Sequence, residues 1–259
     1  MRFTKALLPH LPALAKLFLV ALFCLVTLPA LAQTLSLDLG GGEGGSSASR
    51  IIQLVALLTV LSLAPGILVM VTSFTRIIVV LSFLRSALGV QQTPPNQVLI
   101  SLALFLTFFI MAPTFQVAWE NGIEPLMNDS IDEKAAFEAT VAPFRDFMLA
   151  HTRGKDLQLF LDMGKYETEN LKPEETPIVA LVPAFMISEL KRAFEIGFLL
   201  FLPFLIIDMV VASILMAMGM MMLPPVVISL PFKIVFFVLI DGWNMLAGSL
   251  VQGYTVATP

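Results

Sequence analysis

Two long apolar segments of the chain are joined by the seven residues Gly219-Met220-Met221-Met222-Leu223-Pro224-Pro225. This position predicts that the methionines lie at the tip of a helical hairpin of the kind found in membranes. Methionine has three rotatable bonds and a polarizable thioether, so it repacks around partners of different shape. Gly219 allows a kink or a close approach before the methionines, and the proline pair fixes the exit from the turn.

The three consecutive methionines suggest a deformable seal. A ring of such tips, contributed by several copies, would form a gasket from the side chains Met220, Met221 and Met222. The simpler interpretation is that they fill a core or face lipid. Against it, three consecutive side chains at a turn cannot all face one helical partner.

Composition places the chain among membrane proteins. Hydrophobic residues make up 58% of it and charged residues only 13%, against about 25% charged residues in soluble domains. Several runs with almost no charge reach the length of about 18 residues that indicates a membrane helix. We therefore predict an all-α polytopic membrane protein, with two broken-helix hairpins and a small helical extracytoplasmic segment between them.

Shifts in composition divide the chain into six predicted segments. Residues 1–32 have a positive start, a short apolar region and the A-x-A pattern of a cleavable signal peptide. A Gly/Ser-rich linker, 33–50, leads to a first apolar hairpin, 51–119. An acidic segment, 120–182, separates it from a second apolar hairpin with the Met-rich turn, 183–253, and a tail follows at 254–259. Four prolines are predicted to break or kink the helices of the hairpins: Pro65, Pro113, Pro183 and Pro203.

Few residues remain for chemistry once the signal is removed. Cys24 lies inside the predicted signal, which leaves no cysteine and a single histidine, His151. This excludes disulfides, Cys/His zinc sites and cysteine nucleophiles, and the chain has no P-loop motif. We expect neither an enzyme nor a metal or cofactor site. His151, next to Arg153 and Lys155, is predicted to be a solvated residue at a helix end.

The acidic segment is predicted to form short helices. It carries 13 acidic and six basic residues between Glu120 and Glu175, so it offers no basic patch for nucleic acid. Ser130-Ile131-Asp132-Glu133 fits a helix capping box. Pro143 is predicted to break the helix that begins there.

The distribution of charge predicts an orientation. A cleaved signal puts residue 33 outside the cytoplasm. Arg76 and Arg85 then lie on the cytoplasmic side, as the positive-inside rule favours. The acidic segment returns to the outside.

Charges within the apolar runs need partners, since an ionisable group at bilayer depth costs about 2.5–3.5 kcal/mol. Asp208, Lys233 and Asp241 form either a proton or ion relay, or pairs and caps between subunits, and we favour the second interpretation. Glu189 and Lys191 precede a long apolar helix. They mark either a solvated helix start or a packing interface between copies.

A weak internal repeat leaves a second function open. Val79-Val80-x-Ser82-x-Leu84, then Gly89 and Pro94-Pro95, is similar to Val210-Val211-x-Ser213-x-Leu215, then Gly219 and Pro224-Pro225. Parallel repeats of this kind occur in secondary transporters. A transporter of a small solute or ion is therefore the alternative, ahead of an intramembrane hydrolase or a purely structural scaffold.

Longer motifs carry a more specific signal and cover residues 50 to 253 in order. They are Thr72-Ser73-Phe74-Thr75-Arg76-Ile77, Pro94-Pro95-Asn96-Gln97-Val98-Leu99, Ser188-Glu189-Leu190-Lys191, Pro203-Phe204-Leu205-Ile206-Ile207-Asp208, Met218-Gly219-Met220-Met221-Met222 and Leu230-Pro231-Phe232-Lys233-Ile234. Together they resemble the FliP family of flagellar biosynthetic proteins, core membrane subunits of the type III protein-export apparatus. Virulence-type secretion systems use a close relative, but the signal and the acidic segment favour the flagellar branch.

The resemblance implies a subunit of an export gate in the bacterial inner membrane. Several copies, with five the expected number, would assemble with FliQ-type and FliR-type sister subunits and other membrane proteins of the export apparatus. Unfolded flagellar proteins would pass through the pore. The resemblance also implies that the methionine turn lines the constriction, and that the hairpins are partly surrounded by protein.

Overall fold

The computed structural model describes residues 47–90, 93–166, 172–220 and 222–255, and these contain no β-strand. The predicted signal peptide, most of the linker and Met221 lie outside the described residues. The chain divides into two compact units, Met1–Ala56 and Leu57–Pro259, and the packing below belongs to the second. The α-helices are α1 Ser47–Val71, α2 Phe74–Leu88, α3 Asn96–Ala118, α4 Glu124–Met127, α5 Glu133–His151, α6 Gly154–Met163, α7 Ile178–Ala217, α8 Pro225–Leu239 and α9 Gly242–Thr255.

The helices confirm an all-α polytopic membrane protein. Among the described residues, two helical stretches are long and apolar enough to cross a bilayer, Asn96–Met127 and Ile178–Ala217. Two pairs of helices are bent at a short break, and the number of spans rises to four if each pair counts as one span. These pairs are Leu54–Leu63 with Pro65–Val71 and Pro225–Leu239 with Gly242–Tyr254. α3 belongs to the first stretch, which continues through a π-helical turn, Trp119–Ile123, into α4.

The core is built around α2, which packs against α3, α7 and α8. Ile77, Val80, Leu81 and Leu84 recur at the three- and four-residue spacing of one helical face, and each is at most 1% exposed. Ala193 and Phe204 of α7, with Phe237 of α8 and Leu246 and Leu250 of α9, close over the same core. A short helix of moderate hydropathy thus occupies the interior, and the longer apolar helices surround it.

Most prolines lie inside continuous helices. α3 runs through Pro113, and α7 runs through both Pro183 and Pro203. The prediction that Pro143 ends a helix was wrong, because α5 continues to His151. A proline in a helix interior costs about 3 kcal/mol, and here α5 packs against both α3 and α7, which holds the helix together across the break in its hydrogen bonds.

The start of α5 also differs from the predicted capping box. The N-cap is Asp132, whose side chain accepts from the N–H of Ala135 at 3.3 Å. The hydroxyl of Ser130 instead donates to the carbonyl of Asn128. A carboxylate near a helix N-terminus is favoured both as a hydrogen-bond acceptor and by the helix dipole. Asp132 therefore caps α5 in place of the predicted capping box that begins at Ser130.

The second hairpin has a sharp bend near its end. α8 and α9 meet at 62°, where Asp241 adopts a left-handed conformation with φ 51°. A Cβ on Gly242 would lie 2.2 Å from the Phe237 ring, so only glycine allows this approach. Residues 241–243 thus combine a turn with a close contact between helices.

We predict that Gly197 sets the distance between α2 and α7. A Cβ at Gly197 would lie 2.5 Å from the Phe83 ring. Gly197→Ala should therefore lower the free energy of unfolding of the detergent-solubilised chain by about 1–3 kcal/mol, measured by denaturant titration.

Gly248→Ala is the matched control, since nothing lies within 4 Å of its Cβ position in α9. It should be neutral or stabilise the chain by up to about 1 kcal/mol through helix propensity. Equal losses in the two variants would contradict the close-contact role of Gly197.

Candidate functional site

The methionine turn is fixed by its backbone. α7 ends in a Schellman motif, in which the N–H of Met220 donates to the carbonyl of Leu215 at 2.9 Å and the N–H of Gly219 donates to that of Met216 at 3.0 Å. Gly219 has φ 72° and open space around it, so it is needed for the left-handed conformation and not for a close contact. Pro224 caps α8, which confirms a tight hairpin at this point.

The side chains of the turn project away from the core. Met222 is 98% exposed and Met220 is 42% exposed, while Met221 lies outside the described residues. Met216 and Met218 at the end of α7 are exposed as well. The chain thus presents flexible apolar side chains next to the end of α7, where the Schellman motif holds the backbone.

The first half of the sequence repeat has the same order of features around its turn. Gly89 ends α2 with φ 78°, and Pro95 caps α3 with an extended backbone. The two parts of the repeat therefore have the same order, which is a helix, a left-handed glycine, a proline pair and a helix. Their surroundings differ, since Ser229 of α8 is fully buried and its counterpart Ser101 in α3 is exposed.

A buried ion pair joins α2 to α7. The guanidinium of Arg76 forms a bidentate pair with Glu189, in which Nε lies 2.8 Å from Oε2 and Nη2 contacts Oε1. Their side chains are 2% and 0% exposed. Arg76 is a core residue of the described chain, and its place on the cytoplasmic side stays a prediction. No local pattern indicates its partner, because Glu189 is 113 positions away.

Tyr254 of α9 contacts both members of the Arg76–Glu189 pair. Its hydroxyl donates to Glu189, and the Arg76 guanidinium lies 3.8 Å above its ring centroid. The carbonyl of Gly253 accepts from Arg76 Nη1 at 3.4 Å. Sequence reasoning missed both Arg76 and Tyr254. A signal for Arg76 was present, since an arginine in an apolar run needs a carboxylate.

His151 belongs to the same region and is buried, 3% exposed. The prediction of a solvated residue was wrong, because the helix end packs against the aromatic rings of Phe147 and Tyr254. Burial lowers the pKa of His151 from its ordinary value of 6.5, outweighing the opposite influence of the Phe147 carbonyl.

A second polar cluster ties α6 to α7. Arg153 pairs with Asp156 at 2.6 Å, and the hydroxyl of Ser188 donates to Asp156 at 2.6 Å. Burial alone would raise the pKa of Asp156, but these hydrogen bonds and the neighbouring guanidinium lower it. The acidic segment is thereby anchored to the apolar helix one residue before Glu189.

The second buried pair lies nearer the methionine turn. Lys233 of α8 contacts Asp208 of α7 at 2.6 Å and donates to the carbonyl of Ala87, the next-to-last residue of α2, at 3.2 Å. Ser229 donates to the other carboxylate oxygen of Asp208. Asp208 and Lys233 thus have partners within one chain, and a role for them at a subunit interface stays a prediction.

The remaining predicted charges are exposed. Lys191 pairs with Glu195 at 3.2 Å on the outer surface of α7. Asp241 accepts from the side chain of Asn244 at the bend between α8 and α9. The structure therefore brings Asp208 together with Lys233, but places Glu189, Lys191 and Asp241 at separate positions. No group of three or more potential ligands from His, Cys, Asp and Glu occurs among the described residues.

Comparison with known proteins identifies relatives over most of the chain. A model described as the FliP family matches residues 57–250. The flagellar biosynthetic protein FliP of Rhizobium meliloti is 58% identical over 81% of this chain and 86% of its own length. The protein of the same name from Caulobacter vibrioides is 56% identical over 91% of this chain and 88% of its own length. That from Bacillus subtilis is 57% identical over 80% of this chain and 94% of its own length.

We predict that Glu189→Gln strongly destabilises the isolated subunit. It leaves the Arg76 charge buried without its carboxylate, which typically costs about 3–5 kcal/mol. The free energy of unfolding in detergent measures this loss. Lys191→Gln, two residues away on the exposed surface, should change it by less than about 1 kcal/mol, and similar losses in both variants would argue against a buried pair.

Asp208→Asn should lower the free energy of unfolding of the subunit itself by about 2–3 kcal/mol, since Lys233 remains buried beside a neutral amide. This figure is discounted for the 29% exposure of Asp208. Asp241→Asn is the control, because asparagine also tolerates the left-handed conformation, and should stay within about 0.5 kcal/mol. A loss that appears only after assembly with other subunits would instead place Asp208 at an interface between chains.

Proposed function

The chain belongs to the FliP family, and we propose that it is a core subunit of the flagellar type III protein-export gate, with the methionine turn as its gasket. Family membership and the apolar helices make it a membrane component of the flagellar export apparatus. In the proposal, several copies, five as expected above, assemble with FliQ-type and FliR-type subunits and other export-apparatus membrane proteins in the inner membrane. Residues 120–182 lie in the periplasm, and unfolded flagellar proteins pass through the common pore.

The length of α7 supports a subunit that is partly surrounded by protein. Its 40 residues span about 60 Å, whereas the hydrocarbon core of a bilayer is about 30 Å thick. Even a tilt of about 40°, the upper end of the usual range, leaves a projected length of about 46 Å. Part of α7 therefore extends beyond the hydrocarbon core.

The outer face of α7 is mostly apolar, so water is an unfavourable neighbour for much of the part outside the bilayer. Phe194, Phe198, Ile206 and Val210 are each more than half exposed in the single chain. Other subunits can cover these side chains. The exposed pair Lys191–Glu195 on the same helix then lies at a contact between subunits, which is one of the two interpretations left open for Lys191 by the sequence.

The observation that supports the gasket is the exposure of Met220 and Met222 beside a helix end held by a Schellman motif. Exported chains present side chains of every size, and a rigid opening would fit few of them. Thioether side chains change rotamer on the picosecond-to-nanosecond timescale of exposed groups and adapt to each one. An apolar constriction also excludes water and ions by dewetting.

The proposed role is not enzymatic. The chain has no P-loop motif, so the energy for export comes from partner proteins or from the membrane potential. The family assignment does not support the alternative of a secondary transporter.

The gasket is tested by replacing Met220, Met221 and Met222 together with alanine in the assembled complex. Shorter side chains leave the constriction open, so the ion conductance of the complex in a planar bilayer should rise severalfold. Unchanged conductance in this triple variant would defeat the gasket.

The same three positions changed to leucine provide the matched control. Leucine is apolar and close to methionine in volume but has one fewer rotatable bond. This variant should keep the low conductance and secrete flagellar proteins more slowly. Conductance as high as in the alanine variant would mean that apolar volume alone does not form the seal.

A further inference from the structure

The end of α9 is held by contacts that the proposed gate does not use. The ring of Tyr254 stacks on Phe147 of α5 with centroids 5.8 Å apart, and its hydroxyl donates to Glu189. His151 packs against the same ring, with centroids 4.9 Å apart. The end of α9 is thereby tied to the helical segment between the two hairpins.

His151 occupies an unusual position among these contacts, because both of its ring nitrogens face carbonyl oxygens. Nδ1 lies 2.8 Å from the carbonyl of Phe147, and Nε2 lies 3.4 Å from that of Tyr254. A neutral imidazole has one N–H, so it donates to one carbonyl and turns a lone pair toward the other. An imidazolium would donate to both but would lose its hydration in this buried place.

The charged groups around His151 come from three other helices. Glu189 of α7 favours the imidazolium and Arg76 of α2 opposes it, and these two groups neutralise each other as a pair. Tyr254 of α9 is a neutral donor. Arg153, the N-cap of α6, pairs with Asp156 in the first turn of that helix. Among the described residues, each negative charge near His151 is therefore paired with an arginine, and the attraction of Glu189 for a proton on His151 does not outweigh burial.

We propose that His151 is an acid-sensitive latch that holds the end of α9 against α5. In the closed form the neutral ring packs between Phe147 and Tyr254 and bridges the two helices. Uptake of a proton favours an open form, in which the imidazolium reaches water and the end of α9 separates from α5. The latch does not depend on the proposed export role, because it concerns contacts within one chain.

The direction of the effect follows from linkage between proton binding and opening. Burial lowers the pKa of His151 in the closed form, so the open form binds the proton more readily. The free energy that favours the closed form is fully present when the pH is above the ordinary histidine pKa of about 6.5, and it is lost as the pH falls below that value. One proton shifts the equilibrium toward the open form by up to about tenfold per pH unit, until the lowered pKa is reached.

Hydrogen exchange of the full-length protein in lipid nanodiscs tests the latch. The amides of residues 250–254 are followed between pH 7.5 and 5, and each rate is divided by that of the same peptide in the unfolded chain at that pH. In the wild type this ratio should rise toward tenfold per pH unit below about 6.5. A flat wild-type ratio overturns the proposal without any variant.

His151→Asn supplies the non-titrating comparison, since its amide can still donate to the Phe147 carbonyl. Its exchange ratio should not change with pH, and a retained pH dependence would assign the effect to another group. If the His151→Asn variant does not fold, His151→Gln serves as the non-titrating comparison. Asp162→Asn is the matched control on α6, where an exposed carboxylate accepts from Gln158, and it should keep the wild-type pH dependence.

Discussion

The structure depends on keeping each charge within its apolar core paired. Arg76 and Glu189 are almost fully buried and bidentate, and a lone charge in their place would be strongly unfavourable. This requirement fixes α2 against α7 in both position and rotation, because the planar guanidinium and carboxylate match in only a narrow set of geometries. Apolar packing alone would be more tolerant, since similar helical ridges can slide by a turn. The ion pair thus selects one register among several that hydrophobic burial would allow.

The pair Asp208–Lys233 repeats this arrangement further along the same helix. Nineteen residues separate Glu189 from Asp208, or about 28 Å along α7. Lys233 also caps the end of α2 through the carbonyl of Ala87, so the two pairs hold α2 near both of its ends. Beyond them, α7 ends in a Schellman motif, and the side chains of Met218, Met220 and Met222 are exposed. Their rotamers are free to change, whereas the paired helices below are held in one register.

The sequence predicted those features that depend on neighbours along the chain. The hairpin at Gly219 and Pro224 follows from local backbone preferences. Partners across the fold could not be predicted, since no local pattern connects Arg76 with Glu189 or Tyr254. The burial of His151 was missed for a related reason: the adjacent charges of Arg153 and Lys155 indicate solvent, but Arg153 pairs with Asp156 and the imidazole turns toward the aromatic rings.

The chain buries several ionisable side chains and exposes many large apolar ones. Arginine, glutamate, lysine and histidine side chains lie inside, whereas Phe105, Phe109 and Leu239 are each more than two-thirds exposed. Lipid can cover such a surface over about 30 Å, but α7 is about twice that length. In the proposed gate, other subunits cover the excess apolar surface. Pairing Arg76 with Glu189 and Lys233 with Asp208 inside the chain keeps these four charges away from that surface.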